Sequence, residues 1–238
     1  MRTLVALLAL SLAPSAAWAD PPPPIMAWAW ERPEDLRPAP AGVGVAFLRA
    51  TVDLRPGGVR VAPRRQPLRV RDGAYVMAVV RVEARPRGLA LTAAARERIV
   101  GTLVDAARAP GVRGVQVDFD AGASQRGDYR ALLAEARRAL GGDTWLSMTA
   151  LASWCEGDAW LDDAPLPVDE VVPMVFTMGA GSAAVLGALR SNGGFRAAAC
   201  RGSVGWAVGE PRAALRGVTR RYVFNPRPWT AEALRALR

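Results

Sequence analysis

Two carboxylates, Asp118 and Asp120, close the stretch Arg113-Gly-Val-Gln-Val-Asp-Phe-Asp120. In an extended strand alternate side chains share a face, so Val115, Val117 and Phe119 form one row and Gln116, Asp118 and Asp120 the other. A parallel strand buried on both faces is apolar on both, so a polar row rising to the C-terminal end points to a site. Paired carboxylates suit glycoside cleavage: one protonates the leaving oxygen while the second acts as nucleophile or base, or stabilises the developing cation. Asp120 is the acid candidate. Asp118, one step deeper, would raise the pKa of Asp120 by like-charge repulsion and orient the substrate or intermediate. Glu210 is the alternative partner, and the two schemes differ in spacing, about 5–5.5 Å for a retaining pair and about 6.5–9.5 Å for an inverting one.

The rest of the composition narrows the chemistry. All 31 basic residues are arginine, and the chain has neither lysine nor histidine. Ser-His-Asp and Cys-His catalysis, histidine metal sites, lysine Schiff bases and phosphate-loop lysines are excluded. No cofactor is expected. A carboxylate cluster could hold calcium or magnesium, but no Asp-x-Asp-x-Asp-Gly loop supports this, and zinc is disfavoured without histidine, so no metal is expected either. The net charge of +9 comes from arginines scattered through the chain rather than from a basic, aromatic-interleaved module, so nucleic acid is not the expected partner. A glycan or polysaccharide is, and long-range attraction favours an anionic one. A solvated arginine-rich surface is the plainer account of the same charge.

These residues need a scaffold, and the chain supplies one by alternation. Residues 1–19 read as a cleaved signal peptide: Arg2, an apolar run from Leu4 to Leu12, and Ala17-Trp-Ala19 as the cleavage site. Periplasmic or secreted placement is the expectation, with no transmembrane segment in the mature chain. Residues 20–24 form a Pro-rich leader of little expected structural content, and 25–238 a single domain. Strands are predicted over Ile25 to Trp30, Val43 to Leu48, Tyr75 to Glu83, Arg113 to Asp120, Trp145 to Leu151, Val168 to Phe176, Ser203 to Val208 and Arg221 to Phe224. A hairpin excursion is expected over Thr51 to Val61. Helices capped by Thr92 and Ser124 follow the third and fourth strands, and another spans Ser182 to Leu189.

Eight strands alternating with helices, several of them short or degenerate, predict an α/β fold of the (β/α)8 TIM-barrel type. An open doubly wound sheet would want a glycine-rich phosphate turn after an early strand, and none is present. Barrel sites form at the C-terminal ends of the strands, where Glu31, Arg81, Glu83, Asp118, Asp120, Trp154, Glu210, Asn225 and Trp229 are expected to gather. Arg81, Glu83 and Gln116 are candidate substrate contacts on the inward rows. Alternatively, Arg81 and Glu83 form a mutual ion pair, and Asp118 is a buried carboxylate paired with Arg81. Trp28, Trp30, Trp154, Trp206 and Trp229 could stack on sugar rings; tryptophans on strands are more often core, so the loop-borne Trp154 and Trp229 are the candidates. Cys155 and Cys200 are the two cysteines. Export permits a bridge, while their places after one strand and before another set them at opposite ends of a parallel sheet, leaving both outcomes open.

The segments GVQVDFDA, LSMTALASWC, VDEVVPMVFTMG and YVFNPRPWT resemble the bacterial exported family catalogued as domain of unknown function 3142. That resemblance covers most of the mature chain and implies a glycosidase-like (β/α)8 barrel, without an established activity or catalytic residue. A more distant likeness is to family 18 chitinase-like glycosidases, which carry Asp-Gly-x-Asp-x-Asp-x-Glu at the end of their fourth strand. Here Arg113, Gln116, Asp118 and Asp120 stand at the four polar positions, and only the last two keep carboxylates. Met174-Val-Phe-Thr177 is similar to that family's Met-x-Tyr-Asp but lacks the tyrosine and the aspartate. The seventh-strand place of Glu210 resembles the fourth-and-seventh-strand pair of many retaining barrel glycosidases. Together these imply a glycoside hydrolase; a non-catalytic glycan-binding barrel and an envelope structural protein are the alternatives.

Overall fold

The computed structural model describes residues 19–176 and 178–237; the predicted signal peptide, apart from Ala19, and Thr177 lie outside the described residues. Eight parallel strands close on themselves: β1 (Ile25–Ala29), β2 (Val43–Arg55), β3 (Val76–Ala84), β4 (Val112–Phe119), β5 (Trp145–Leu151), β6 (Glu170–Met174), β7 (Ser203–Ala207) and β8 (Arg220–Phe224). Each pairs with its sequence neighbours, and β1 pairs with both β2 (Ile25↔Val43) and β8 (Ile25↔Arg221), which removes every edge but one excursion. The predicted barrel is therefore the observed one.

The excursion arises because β2 runs for thirteen residues and overshoots the barrel. Its end folds back on an antiparallel strand at Gly58–Pro63, with Arg55 opposite Gly58. α1 (Ala93–Ala107) follows β3 and is capped by Thr92, whose hydroxyl accepts from the Ala95 N–H at 3.2 Å. α2 (Arg126–Leu140) follows β4, but Ser124 is not its cap: a 3-10 turn at Ala123–Gln125 intervenes, and the Gln125 carboxamide accepts from the Gly122 N–H at 2.8 Å. The glutamine reaches back three residues to an N–H left without an intrahelical partner at the helix entry. α3 (Ala152–Gly157) is short, α4 (Ser182–Asn192) follows β6, and α5 (Ala231–Arg235) follows β8. Among the described residues, no helix is long and apolar enough to cross a membrane.

Strand parity sorts the side chains into two layers. Val115, Val117 and Phe119 of β4 face outward onto α1 and α2, where Phe119 meets Tyr129 edge-on at 5.2 Å. Met26, Trp28, Met77, Val79, Val172, Tyr222 and Phe224 fill the lumen. A Cβ at Gly205 would stand 2.4 Å from the Met174 sulfur, so any larger residue there would displace that side chain.

The lower lumen is polar. Glu170 accepts from Arg220 Nη1 at 2.7 Å, Tyr222 Oη at 2.7 Å and Ser203 Oγ. Arg220 also donates through Nε to the carbonyls of Pro22 (2.9 Å) and Pro23 (3.2 Å), and Pro24 accepts from the Arg221 N–H at 2.8 Å. The Pro-rich leader is thus bound to the barrel floor, contrary to its expected lack of structural content. A polyproline segment has no internal hydrogen bonds, so its carbonyls are available to an arginine that must also balance a buried glutamate.

Cys155 and Cys200 form a disulfide with Cα atoms 5.9 Å apart. Position along the sheet had set them apart; the connections bring them together. α3 turns back outside β6, and the 3-10 turn Ala198–Cys200 also packs on β6, with the Ala197 N–H donating to the Cys155 carbonyl at 3.0 Å.

Candidate functional site

The inward row of β4 climbs the barrel. Gln116 is fully buried: its Oε1 accepts from the Trp28 indole N–H at 3.3 Å, and its Nε2 donates to Ser147 Oγ at 3.0 Å. It ties β1, β4 and β5 together below the cleft and is not a substrate contact, because a buried amide must satisfy its donors and acceptors inside the protein.

Asp118 lies one layer higher. Its Oδ2 accepts from Arg81 Nη1 at 2.6 Å and its Oδ1 from Thr149 Oγ1 at 2.9 Å. Arg81 is shared: Nε donates to Glu83 Oε1 at 3.2 Å, and Nη2 stands 3.7 Å from Asp120 Oδ2. Glu83 is further engaged by Arg85. The ion pairs weighed as alternatives for Arg81, Glu83 and Asp118 are therefore present, and the same arginine carries them up to the rim.

Asp120 differs from both. Its side chain is 49% exposed and faces a cleft of about 680 Å³ at the C-terminal mouth of the barrel, lined also by Trp30, Arg81, Arg87, Asp118, Met174, Phe176 and Phe224. The cleft walls displace bulk water around the carboxyl, and Asp118 adds like-charge repulsion; together these push Asp120 above the usual aspartate range against the opposing pull of Arg81 and Arg87. Asp118 contributes the repulsion anticipated for it.

The aromatic wall comes from strand ends. Trp30, half-buried just past β1, tilts against Trp28 at 4.4 Å, and the Arg81 guanidinium lies 5.9 Å from its ring centre. Phe176 packs on Phe224 at 4.4 Å. Of these three, Trp30 reads from the sequence as a possible stacking ring but more as core, and Phe176 and Phe224 carry no such signal, although all stand on inward rows at or just past strand C-termini.

The loop residues are placed differently. Trp154 is 4% exposed and meets Trp160 edge-on at 5.1 Å, because the chain turns helical straight after β5 and puts this residue on the inner side of α3. Trp229 is 6% exposed; its indole N–H donates to the Trp28 carbonyl and its backbone N–H to Glu34 Oε2, both at 2.9 Å. Both rings are core, not stacking platforms. Asn225 closes a local turn by accepting from the Arg227 N–H at 3.1 Å. Glu31 accepts from the backbone N–H groups of Arg65 (2.8 Å) and Gln66 (3.2 Å) and holds a loop. Glu210 sits on an exposed turn after β7 and is not among the residues lining the cleft, because the turn begins at once, with its N–H donating to the Ala207 carbonyl at 3.3 Å.

No family model matches the chain, and no curated protein matches it. Among solved structures it is similar to the chitinase domain of the spore coat protein CotE from Clostridium difficile, at 13% identity and a TM-score of 0.42. That likeness covers 71% of this chain and 53% of the other, so the chain spans about half the length of that structure. No residue role follows from a likeness of that size.

Proposed function

We propose that the protein is an exported glycoside hydrolase of barrel fold in which Asp120 protonates the leaving glycosidic oxygen. The observation that carries this reading is the contrast within one strand row: Asp120 is half exposed in the mouth with its proton affinity raised, while Asp118 beneath it is immobilised by Arg81 and Thr149. Neighbouring carboxyls driven into different environments are the usual basis for assigning acid and anion roles. In the reaction the C–O bond breaks as the Asp120 proton passes to the leaving oxygen. Asp118 stabilises positive charge developing at the anomeric carbon, and water supplies the hydroxyl there while its proton returns to Asp120. Trp30, Phe176 and Phe224 offer faces for apolar sugar C–H groups.

The oxidised Cys155–Cys200 pair supports export, since disulfides persist in oxidising compartments. Cleavage near Ala19 and membership of the exported barrel family that the sequence resembles belong to the same proposal.

A second reading, glycan binding without turnover, is favoured by the engagement of both Asp118 oxygens, which leaves Asp120 as the one cleft-lining carboxylate, among the described residues, with an open approach. The two separate experimentally. Wild type and Asp120→Asn are assayed for reducing ends released from envelope and exopolysaccharides, and for binding to the same polymers. Hydrolysis requires release by wild type and a drop of about 100-fold or more in the variant. Binding by both without release selects the second reading, and neither binding nor release defeats both and leaves an envelope scaffold.

A further inference from the structure

A second concavity of about 280 Å³ adjoins the mouth and shares Arg81, Arg87 and Asp120 with the larger cleft. These three residues therefore stand at a boundary with open space on each side. The two sides differ in chemistry. The larger is walled by Trp30, Met174, Phe176 and Phe224, whereas the smaller is bounded by the charged segment from Glu83 to Arg87.

Within the smaller side most polar groups are already occupied. Glu83 is bound by Arg81 and Arg85, Arg85 also faces Asp53, and Gln125 is spent on the Gly122 N–H and the Leu89 carbonyl. Arg87 is different: it is exposed, borders both concavities, and makes no hydrogen bond or ion pair with any described residue. Its position is set by the short turn Pro86-Arg87-Gly88, where Gly88 takes a positive φ of 84°. A guanidinium offers a planar fork of donors that matches a carboxylate or sulfate, and one without a hydrogen-bonded protein partner has no such bond to give up on binding.

We infer that Arg87 is a specificity-determining residue that binds an acidic substituent, a carboxylate or a sulfate ester, on a polysaccharide running past Asp120 from one concavity into the other. This rests on the proposal that the cleft binds a glycan and narrows it to acidic, chain-internal sites. The net charge of +9 assists capture at long range, but the local contact selects.

The test compares the mature wild-type protein with Arg87→Gln and with Arg138→Gln, an equal change of charge on the exposed side of α2, far from the mouth. Binding is measured to polygalacturonate, dextran sulfate and neutral dextran at 0.15 M salt, with thermal melts confirming equal folding. The expected result is tighter binding of at least one acidic polymer than of dextran, a loss of about tenfold or more for Arg87→Gln, and less than twofold for Arg138→Gln. The acidic polymer affected tells carboxylate from sulfate. Equal losses in the two variants, or dextran bound as tightly as the acidic polymers, would overturn the inference while leaving the hydrolase reading intact if Asp120-dependent release persists. Absence of binding to any glycan overturns both.

Discussion

Arg81 and Asp118 are register partners on adjacent parallel strands, and the guanidinium bonds the carboxylate at 2.6 Å across that rung. The pair is asymmetric, because Arg81 retains Glu83 and Asp120 as other partners, whereas among the described residues Asp118 retains Thr149 alone. Arg81→Met is expected to destabilise the barrel by about 3 kcal/mol, the cost of stranding a buried carboxylate. Asp118→Asn should cost less, about 1–2 kcal/mol. Chemical denaturation of the two variants gives the comparison; a larger loss in Asp118→Asn contradicts the asymmetry.

Asp120 predicts a pH signature. Its folded pKa is raised by desolvation and by Asp118, so its contribution to stability is fully present below the unfolded value of about 3.9 and is lost as pH rises through the folded value. Asp120→Asn removes that loss. The variant should match wild type at pH 3 and melt above it at pH 7, and a lower melting temperature at pH 7 would contradict the raised pKa. If hydrolysis is found, its alkaline limb should move to higher pH in Arg87→Gln, because a cation that lowers the pKa of Asp120 is gone.

The two kinds of tryptophan should separate by phenotype. Trp30→Ala is expected to weaken glycan binding about tenfold with little change in melting. Trp154→Ala should cost about 3–5 kcal/mol of stability through the cavity it leaves and leave the affinity of the remaining folded protein unchanged. Isothermal titration beside urea unfolding reads both.

Bridging Cys155 to Cys200 closes a loop with a sequence separation of 45 residues. The chain-entropy relation gives about 4 kcal/mol for such a loop. Cys155→Ala with Cys200→Ala should lower the unfolding midpoint accordingly, and reductant should lower that of wild type but not of the double variant.

A chain starting at Ile25 loses the carbonyls of Pro22, Pro23 and Pro24. It should be about 2 kcal/mol or more less stable than one starting at Asp20, since bonds to a charged donor are lost beside buried Glu170. Equal midpoints would show that solvent replaces the leader without cost.

The strands were legible because each is a short apolar run whose parity repeats, and parity alone assigned Arg81, Glu83, Gln116, Asp118 and Asp120 to the inward rows. Depth along a row was not legible: Gln116 and Asp120 share a face, yet four residues of rise separate a sealed lumen from open water. The aromatic wall was only partly legible: strand position marks Trp30 as core, and loop position marks Trp154 and Trp229 as exposed, both misleadingly. Trp154 and Trp229 were buried by a one-turn helix and by indole and backbone hydrogen bonds, neither of which has a periodic signature. The last inward residue of a predicted strand is the better guide, and over Ile25 to Trp30, Val168 to Phe176 and Arg221 to Phe224 it selects Trp30, Phe176 and Phe224. Glu170 was overlooked because its partners Ser203, Arg220 and Tyr222 lie 33 to 52 residues away in sequence.

The double pairing of β1 has a consequence for biogenesis. The stave made first bonds to the stave made last, across nearly two hundred residues, so the final seam cannot form until Arg220–Phe224 has emerged. Until then β1 and β7 present bare edges, which are sticky toward other strands, and loop closure over that span is slow. A nascent chain arrested before residue 220 is an open, aggregation-prone sheet.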